Sequence, residues 1–189
     1  SVSAYEFLLF CFPVTMHGRV KKDVVEPTAE EKDNERQQVK TARSLFEKLL
    51  EQRHARVYNQ QVLDMTSKAM QFHPEFPTLW GYRREILESG RLDCDRRRVL
   101  ECEMKLLEKA LQKAHKVYSI WFHRRWTIER LFGVCGPGSD EALEILDKEL
   151  ELCKRMLEVD ERNFHCWNHR ASVMGFMRRS RGGGAAAPG

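Results

Sequence analysis

VYSIWFHRRWTI, residues 117–128, has two kin in the same chain. FPTLWGYRR at 76–84 and NFHCWNHR at 163–170 repeat its order: an aromatic residue, then a tryptophan, then an arginine three places on. The anchoring pairs are Trp80 with Arg83, Trp121 with Arg124 and Trp167 with Arg170, and the tryptophans stand 41 and 46 residues apart. Self-similarity at a period in the forties is the signature of stacked structural repeats. Residues three apart in a helix share a face. Each indole is therefore expected to act as a wide wedge between neighbouring helices, with a guanidinium beside it to bond a carboxylate or carbonyl group of the adjacent hairpin.

Around each copy the apolar residues follow helical spacing. Val62, Met65, Ala69 and Phe72 precede the first tryptophan, Leu100, Met104, Leu107, Leu111 and Ala114 the second, and Leu143, Leu146, Leu150, Cys153 and Leu157 the third. Steps of three and four place each set on one stripe, and strand alternation is absent. Short turns at 73–77, 114–117 and 160–163 separate the two helices of each pair. Pro77 suits the first turn of a helix, and Asn163 can cap one. Breaks between pairs fall at Ser89-Gly90 and at 133–138, where Gly136-Pro137-Gly138 is only a turn. The predicted fold is all-α: an alpha-alpha superhelix, a right-handed solenoid of antiparallel helix hairpins. Its repeat domain covers 28–178, with repeat cores near 62–88, 99–132 and 142–177.

The flanks read differently. Residues 1–15 are apolar and lack a methionine, whereas Met16-His17-Gly18-Arg19 looks like a true start. Residues 1–27 therefore read as an unordered extension and arm, with 1–15 translated from upstream of the initiator or simply unordered. No basic residue precedes the apolar run at 7–14 and no small-residue cleavage site closes it, so it does not read as a signal peptide. Thr28 with Glu31 forms a capping box at the head of a polar helix running to about Arg53. Residues 179–189 are a low-complexity tail with nothing to bury. Val173, Met174, Phe176 and Met177 in the last helix, expected at 164–178, have nothing after them to cover them, which predicts an array truncated at its C-terminal end.

Of 189 residues, 32% are charged, and mean hydropathy is −0.57. No apolar run reaches the ~18 residues of a membrane span. Net charge is +4, but Arg178, Arg179 and Arg181 supply three of those charges and residues 1–15 hold only Glu6, which leaves the body, 16–177, at +2. That balance argues against a nucleic-acid surface. The six cysteines, Cys11, Cys94, Cys102, Cys135, Cys153 and Cys166, form no C-x-x-C and no zinc-finger spacing. They read as reduced core fillers, which favours a cytoplasmic setting.

The repeated order of an aromatic residue, tryptophan and then H/Y-R-R resembles the repeat of protein prenyltransferase alpha subunits, in three copies over about 62–177. LEVDERNFHCW at 157–167, with MHGR at 16–19, resembles the type-2, Rab-directed branch of that family. The third copy departs from the pattern, with Ala171 where a second arginine is usual. The resemblance implies a helical crescent wrapped around a separate beta subunit that holds the catalytic zinc and most of the isoprenoid and peptide pocket. It further implies transfer of geranylgeranyl from its diphosphate to C-terminal cysteines of Rab GTPases presented by a Rab escort protein. This chain would hold no metal or cofactor of its own and would not catalyse transfer alone.

The resemblance also assigns residues. Lys116, with Tyr118 beside it, matches the lysine that neutralises the departing diphosphate; a fixed ammonium stabilises the charge that builds there. Residue type alone favours the plainer reading, a solvated lysine in a turn; the match to the motif sets the two readings level. Phe164 stands where farnesyl-type relatives carry a tyrosine, so that position cannot donate to diphosphate. His17 is either a mobile tail residue or an extra ligand reaching a partner's zinc. His165 and His169 lie four apart, as helical metal ligands can, but His169 occupies a repeat position two places after its tryptophan, as His123 and Tyr82 do, and reads as packing. A tetratricopeptide-like peptide scaffold is the competing reading, although its units run 34 residues. An alpha subunit of the farnesyl or type-1 enzyme is a nearer one.

Overall fold

The computed structural model describes residues 28–182. They form seven helices, with no strand among the described residues: α1 (Ala29–His54), α2 (Gln60–Phe72), α3 (Pro77–Glu88), α4 (Arg96–Ala114), α5 (Tyr118–Cys135), α6 (Asp140–Val159) and α7 (Phe164–Gly182). The chain divides into two compact units after Val39, inside α1. The first unit contributes Thr28 and the opening of α1, where the capping box is reciprocal: Thr28 N–H donates to Glu31 Oε2 at 2.7 Å and Glu31 N–H to Thr28 Oγ1 at 3.2 Å. Every residue from 28 to 39 is exposed. The sequence placed the domain boundary at 28. The division falls later because a helical stretch that buries nothing belongs to no core.

The second unit holds the remainder of α1 and three hairpins, α2–α3, α4–α5 and α6–α7. Each first helix is capped by a side chain. Asn59 Oδ1 accepts from Val62 N–H at 2.9 Å, Asp95 Oδ1 from Arg98 N–H at 2.9 Å and Ser139 Oγ from Ala142 N–H at 3.1 Å. Two of the second helices start otherwise: α3 and α5 follow Phe76 and Val117 with no side-chain cap, and Pro77 opens α3. The second helices α3, α5 and α7 pack side by side, each against the first helix of its own hairpin, with α5 between α3 and α7.

The apolar stripes face inward with local exceptions. Leu107, Leu111 and Leu146 are fully buried, but Phe72 is 42% exposed, because α2 turns Val62, Leu63, Ala69 and Met70 to the core instead. Val173 and Phe176 are buried against Ile128 and Leu146, contrary to the expectation that nothing covers them; Met174 is the one turned outward. α5 continues through Gly133 to Cys135, so the break begins at Gly136, where φ is +85°, with Gly138 at +86°. Only glycine takes that backbone region without strain. α7 runs to Gly182, beyond the boundary of 178 read from sequence. The described cysteines are all free, but only Cys153 and Cys166 are core fillers: Cys94 lies in the exposed loop before α4 and Cys102 on its outer face.

Candidate functional site

Each repeat tryptophan closes its own turn. Trp80 Nε1–H donates to the Pro74 carbonyl at 2.8 Å, Trp121 to that of His115 at 2.7 Å and Trp167 to that of Glu161 at 2.9 Å, six residues back each time. The indole thereby satisfies a turn carbonyl at the place where α3 and α5 lack a capping side chain. Trp80 and Trp121 are buried, each with a ring from the following hairpin against it: His123 at 4.9 Å from Trp80 and His169 at 5.3 Å from Trp121, centroid to centroid. Trp167 makes the same turn bond but is 50% exposed.

The arginines link hairpin to hairpin. Arg83 on α3 grips Glu103 on α4 with Nε at 2.5 Å and Nη2 at 2.6 Å, while its Nη1 donates to the Leu63 carbonyl at 2.9 Å and to Thr66 Oγ1 at 2.8 Å. Arg124 on α5 grips Glu149 on α6 in the same bidentate manner, with Nε at 2.7 Å, and its Nη1 reaches the Met104 carbonyl at 3.3 Å. A histidine completes each set: His123 Nε2 lies 2.7 Å from Glu103 Oε1 and His169 Nε2 lies 2.9 Å from Glu149 Oε2. All six side chains are buried. Burial alone would push both carboxyls up, but the guanidinium and imidazole beside each outweigh it and hold Glu103 and Glu149 at about 2. Burial pushes His123 down, despite the carboxylate beside it. A neutral ring donating Nε2–H to the carboxylate satisfies both shifts. Arg170, the third of the series, is half-buried, and no carboxylate among the described residues bonds it.

Sequence reasoning singled out the tryptophans and arginines but not the glutamates. The signal was present: Glu103 and Glu149 each stand eighteen residues ahead of their own hairpin's tryptophan, inside an apolar stripe.

Lys116 and Tyr118 sit on the turn into α5, on a cleft of about 590 Å³ also lined by Glu75, Trp80, Arg84 and Phe122. Lys116 is in the open, its side chain 73% exposed, with Nζ 3.0 Å from Asp160 Oδ2. That contact holds the Asp160 carboxyl below its usual value. Tyr118 is 62% exposed, with its ring near His165 and Phe122. Arg84 lies over the Phe122 ring at 5.0 Å, and burial lowers its pKa. Phe164 is exposed at the start of α7. His169 is committed to Glu149 and Trp121, in keeping with its repeat position. His17 lies outside the described residues. Among the described residues no group of three or more His, Cys, Asp or Glu is placed to hold a metal ion, and no helix is long and apolar enough to cross a membrane.

Fold and linkage together define an all-helical hairpin-repeat protein. Three stretches, 59–90, 100–131 and 146–177, match the pattern described as the protein prenyltransferase alpha subunit repeat, and they coincide with the three hairpins. The chain belongs to the protein prenyltransferase alpha-subunit repeat family. It is 38% identical over 162 residues to the geranylgeranyl transferase type-2 subunit alpha of Rattus norvegicus, covering 84% of this chain and 27% of that protein. The subunit of the same name from Dictyostelium discoideum is 32% identical over 170 residues, covering 84% of this chain and 50% of that one. The Saccharomyces cerevisiae subunit is 30% identical over 161 residues, covering 85% and 47%. The chain thus spans about a quarter of the length of the rat relative and about half that of the other two.

Proposed function

We propose that this chain acts as the alpha-subunit part of a heterodimeric prenyltransferase that moves geranylgeranyl from its diphosphate to C-terminal cysteines of Rab GTPases, in the cytoplasm and with a Rab escort protein presenting the substrate. Family membership and the names of the relatives support the reaction class. The observation that carries the residue assignment is the joint placement of Lys116 and Tyr118, both exposed, at the mouth of an open cleft. In the reaction a substrate thiolate forms a sulfur–carbon bond to the isoprenoid as the carbon–oxygen bond to diphosphate breaks. Negative charge then grows on the departing diphosphate. The Lys116 ammonium would neutralise it, and the Tyr118 hydroxyl would donate to it. Until an anion arrives, Asp160 holds the ammonium at the edge of the cleft. Thiolate activation would fall to a zinc in the partner beta subunit, which this chain would position.

Lys116→Ala, assayed in the complex with a beta subunit, is expected to slow prenyl transfer about a hundredfold while leaving assembly of the two subunits intact. An unchanged rate in an assembled complex would remove Lys116 from the reaction.

A further inference from the structure

Among the described residues, four buried or half-buried arginines each meet a carboxylate: Arg53 with Glu85, Arg83 with Glu103, Arg124 with Glu149 and Arg130 with Glu88. Arg170, on the last helix, and Arg84 do not. Arg84 is the one that lines the cleft. The acids beside it on α3, Glu85 and Glu88, are taken by Arg53 and Arg130. Glu75, which also lines the cleft, is exposed and pairs with neither Arg84 nor Lys116. Burial without a counter-charge disfavours the charged guanidinium, and its pKa is lowered accordingly.

The position of Arg84 is nonetheless fixed. Its guanidinium stands over the Phe122 ring at 5.0 Å, and Nη1 donates to His123 Nδ1 at 3.4 Å. His123 can accept there because its Nε2–H is turned to Glu103. A guanidinium has five N–H donors, and Arg84 makes no other hydrogen bond among the described residues. Repeat packing does not require this arrangement. At the next joint the corresponding residues are Arg125 and His169. There Arg125 is exposed, with Nε 4.0 Å from Glu129, and His169 Nδ1, though buried, has no partner. That joint closes without the bond.

Lys116 reaches the same cleft from the turn into α5, beside Tyr118. The Phe122 ring under Arg84 lies 6.0 Å from the Tyr118 ring, one helical turn further along the α5 wall. Two cations set along one cleft suit two linked anionic groups. We propose that Arg84 is a second anion-binding residue of this cleft, holding the diphosphate of the isoprenoid donor together with Lys116. The identity of the ligand rests on the prenyl-transfer reading; the role of Arg84 goes beyond it. One ammonium offsets only part of the charge on a departing diphosphate. A guanidinium adds a planar fork of N–H groups that fits phosphate oxygens two at a time. Held by Phe122 and His123 before the ligand arrives, it needs little reorganisation to act.

Inorganic diphosphate, titrated calorimetrically into the chain in complex with a beta subunit, tests this. Arg84→Gln is expected to weaken binding about tenfold, and Arg84→Lys only about threefold, with both complexes intact by size-exclusion chromatography. A purely structural Arg84 would lower the melting temperature and leave the affinity for diphosphate unchanged, and that outcome overturns the proposal. Phenylglyoxal labelling read by mass spectrometry needs no variant. Diphosphate should protect Arg84 in the unaltered complex and leave the exposed Arg91 as reactive as before. Equal labelling of Arg84 with and without diphosphate overturns the proposal, as does a complex that binds no diphosphate. The two readings fail separately. An unchanged transfer rate in Lys116→Ala removes Lys116 from the reaction but leaves the binding result for Arg84 standing. If no complex forms with a beta subunit, the prenyl-transfer reading fails, and the same labelling on the full chain decides Arg84.

Discussion

Glu103 lies almost without solvent contact between Arg83 and His123. A buried ion pair is a poor source of net stability but a severe liability when halved, because the surviving charge has no water to return to. Glu103→Leu should cost about 3–5 kcal/mol in urea unfolding, and Arg83→Met added to it should recover much of that loss; additive losses would show that the two side chains do not act as a pair. The same groups set the acid response. His123, held below 6.5 when folded, takes up a proton more readily in the unfolded chain, so stability starts to fall as pH drops below about 6.5. Glu103 and Glu149, held at about 2 against an ordinary 4.5, contribute stability that is complete above 4.5 and is lost as pH falls from there toward 2. Urea midpoints measured from pH 7.5 to 3 should show both stages, and His123→Gln should flatten the upper one. At this scale the tryptophans and arginines were legible because the chain repeats them. The glutamates were not, because an acid in a helix as rich in charged residues as α4 or α6 looks like part of a solvated face until its partner is known. Lys116 was legible only through resemblance to a family, since an exposed lysine in a turn carries no signal of its own.

Helix placement was readable for a different reason: caps and periodicity are local. Thr28 with Glu31 form the box that the sequence spells, and Asn163 Oδ1 accepts from Cys166 N–H at 3.3 Å. What local pattern missed was rotation. Phe72 continues the arithmetic of the α2 stripe yet faces solvent, because the last turn of a helix is steered by the neighbours it meets and not by its own spacing. Val173 and Phe176 looked uncovered for the same reason, since their cover, Ile128 and Leu146, comes from the helices before them, α5 and α6, and not from anything after. Ser139 gives a clean test at this scale. Its hydroxyl caps α6 by accepting from Ala142 N–H, and its loss leaves an orphan donor at that helix start. Ser139→Ala should lower stability by about 1 kcal/mol, with Ser139→Asp restoring most of it; an unchanged midpoint for the alanine variant would mean that solvent caps the helix equally well.

Across the molecule, cooperativity follows from how the hairpins are joined. The strongest packing runs within each hairpin and between α3, α5 and α7 as successive neighbours, so stability should behave as a chain of nearest-neighbour terms. The two buried ionic clusters divide that chain into separable joints: Arg83 with Glu103 couples the first hairpin to the second, and Arg124 with Glu149 the second to the third. Damage at one joint should then loosen the hairpins that it unites more than the one beyond. Arg83→Ala is expected to raise amide hydrogen exchange most in α2 and α3, less in α4 and α5, and least in α6 and α7. Arg124→Ala should reverse that gradient, with α6 and α7 exchanging fastest. The comparison is informative because both variants remove the same group from the same kind of niche, so any difference between their exchange maps reports position in the array and not the chemistry of the substitution. Uniform acceleration in both variants would mean that the three hairpins unfold as a single block, and the picture of separable joints would have to be given up.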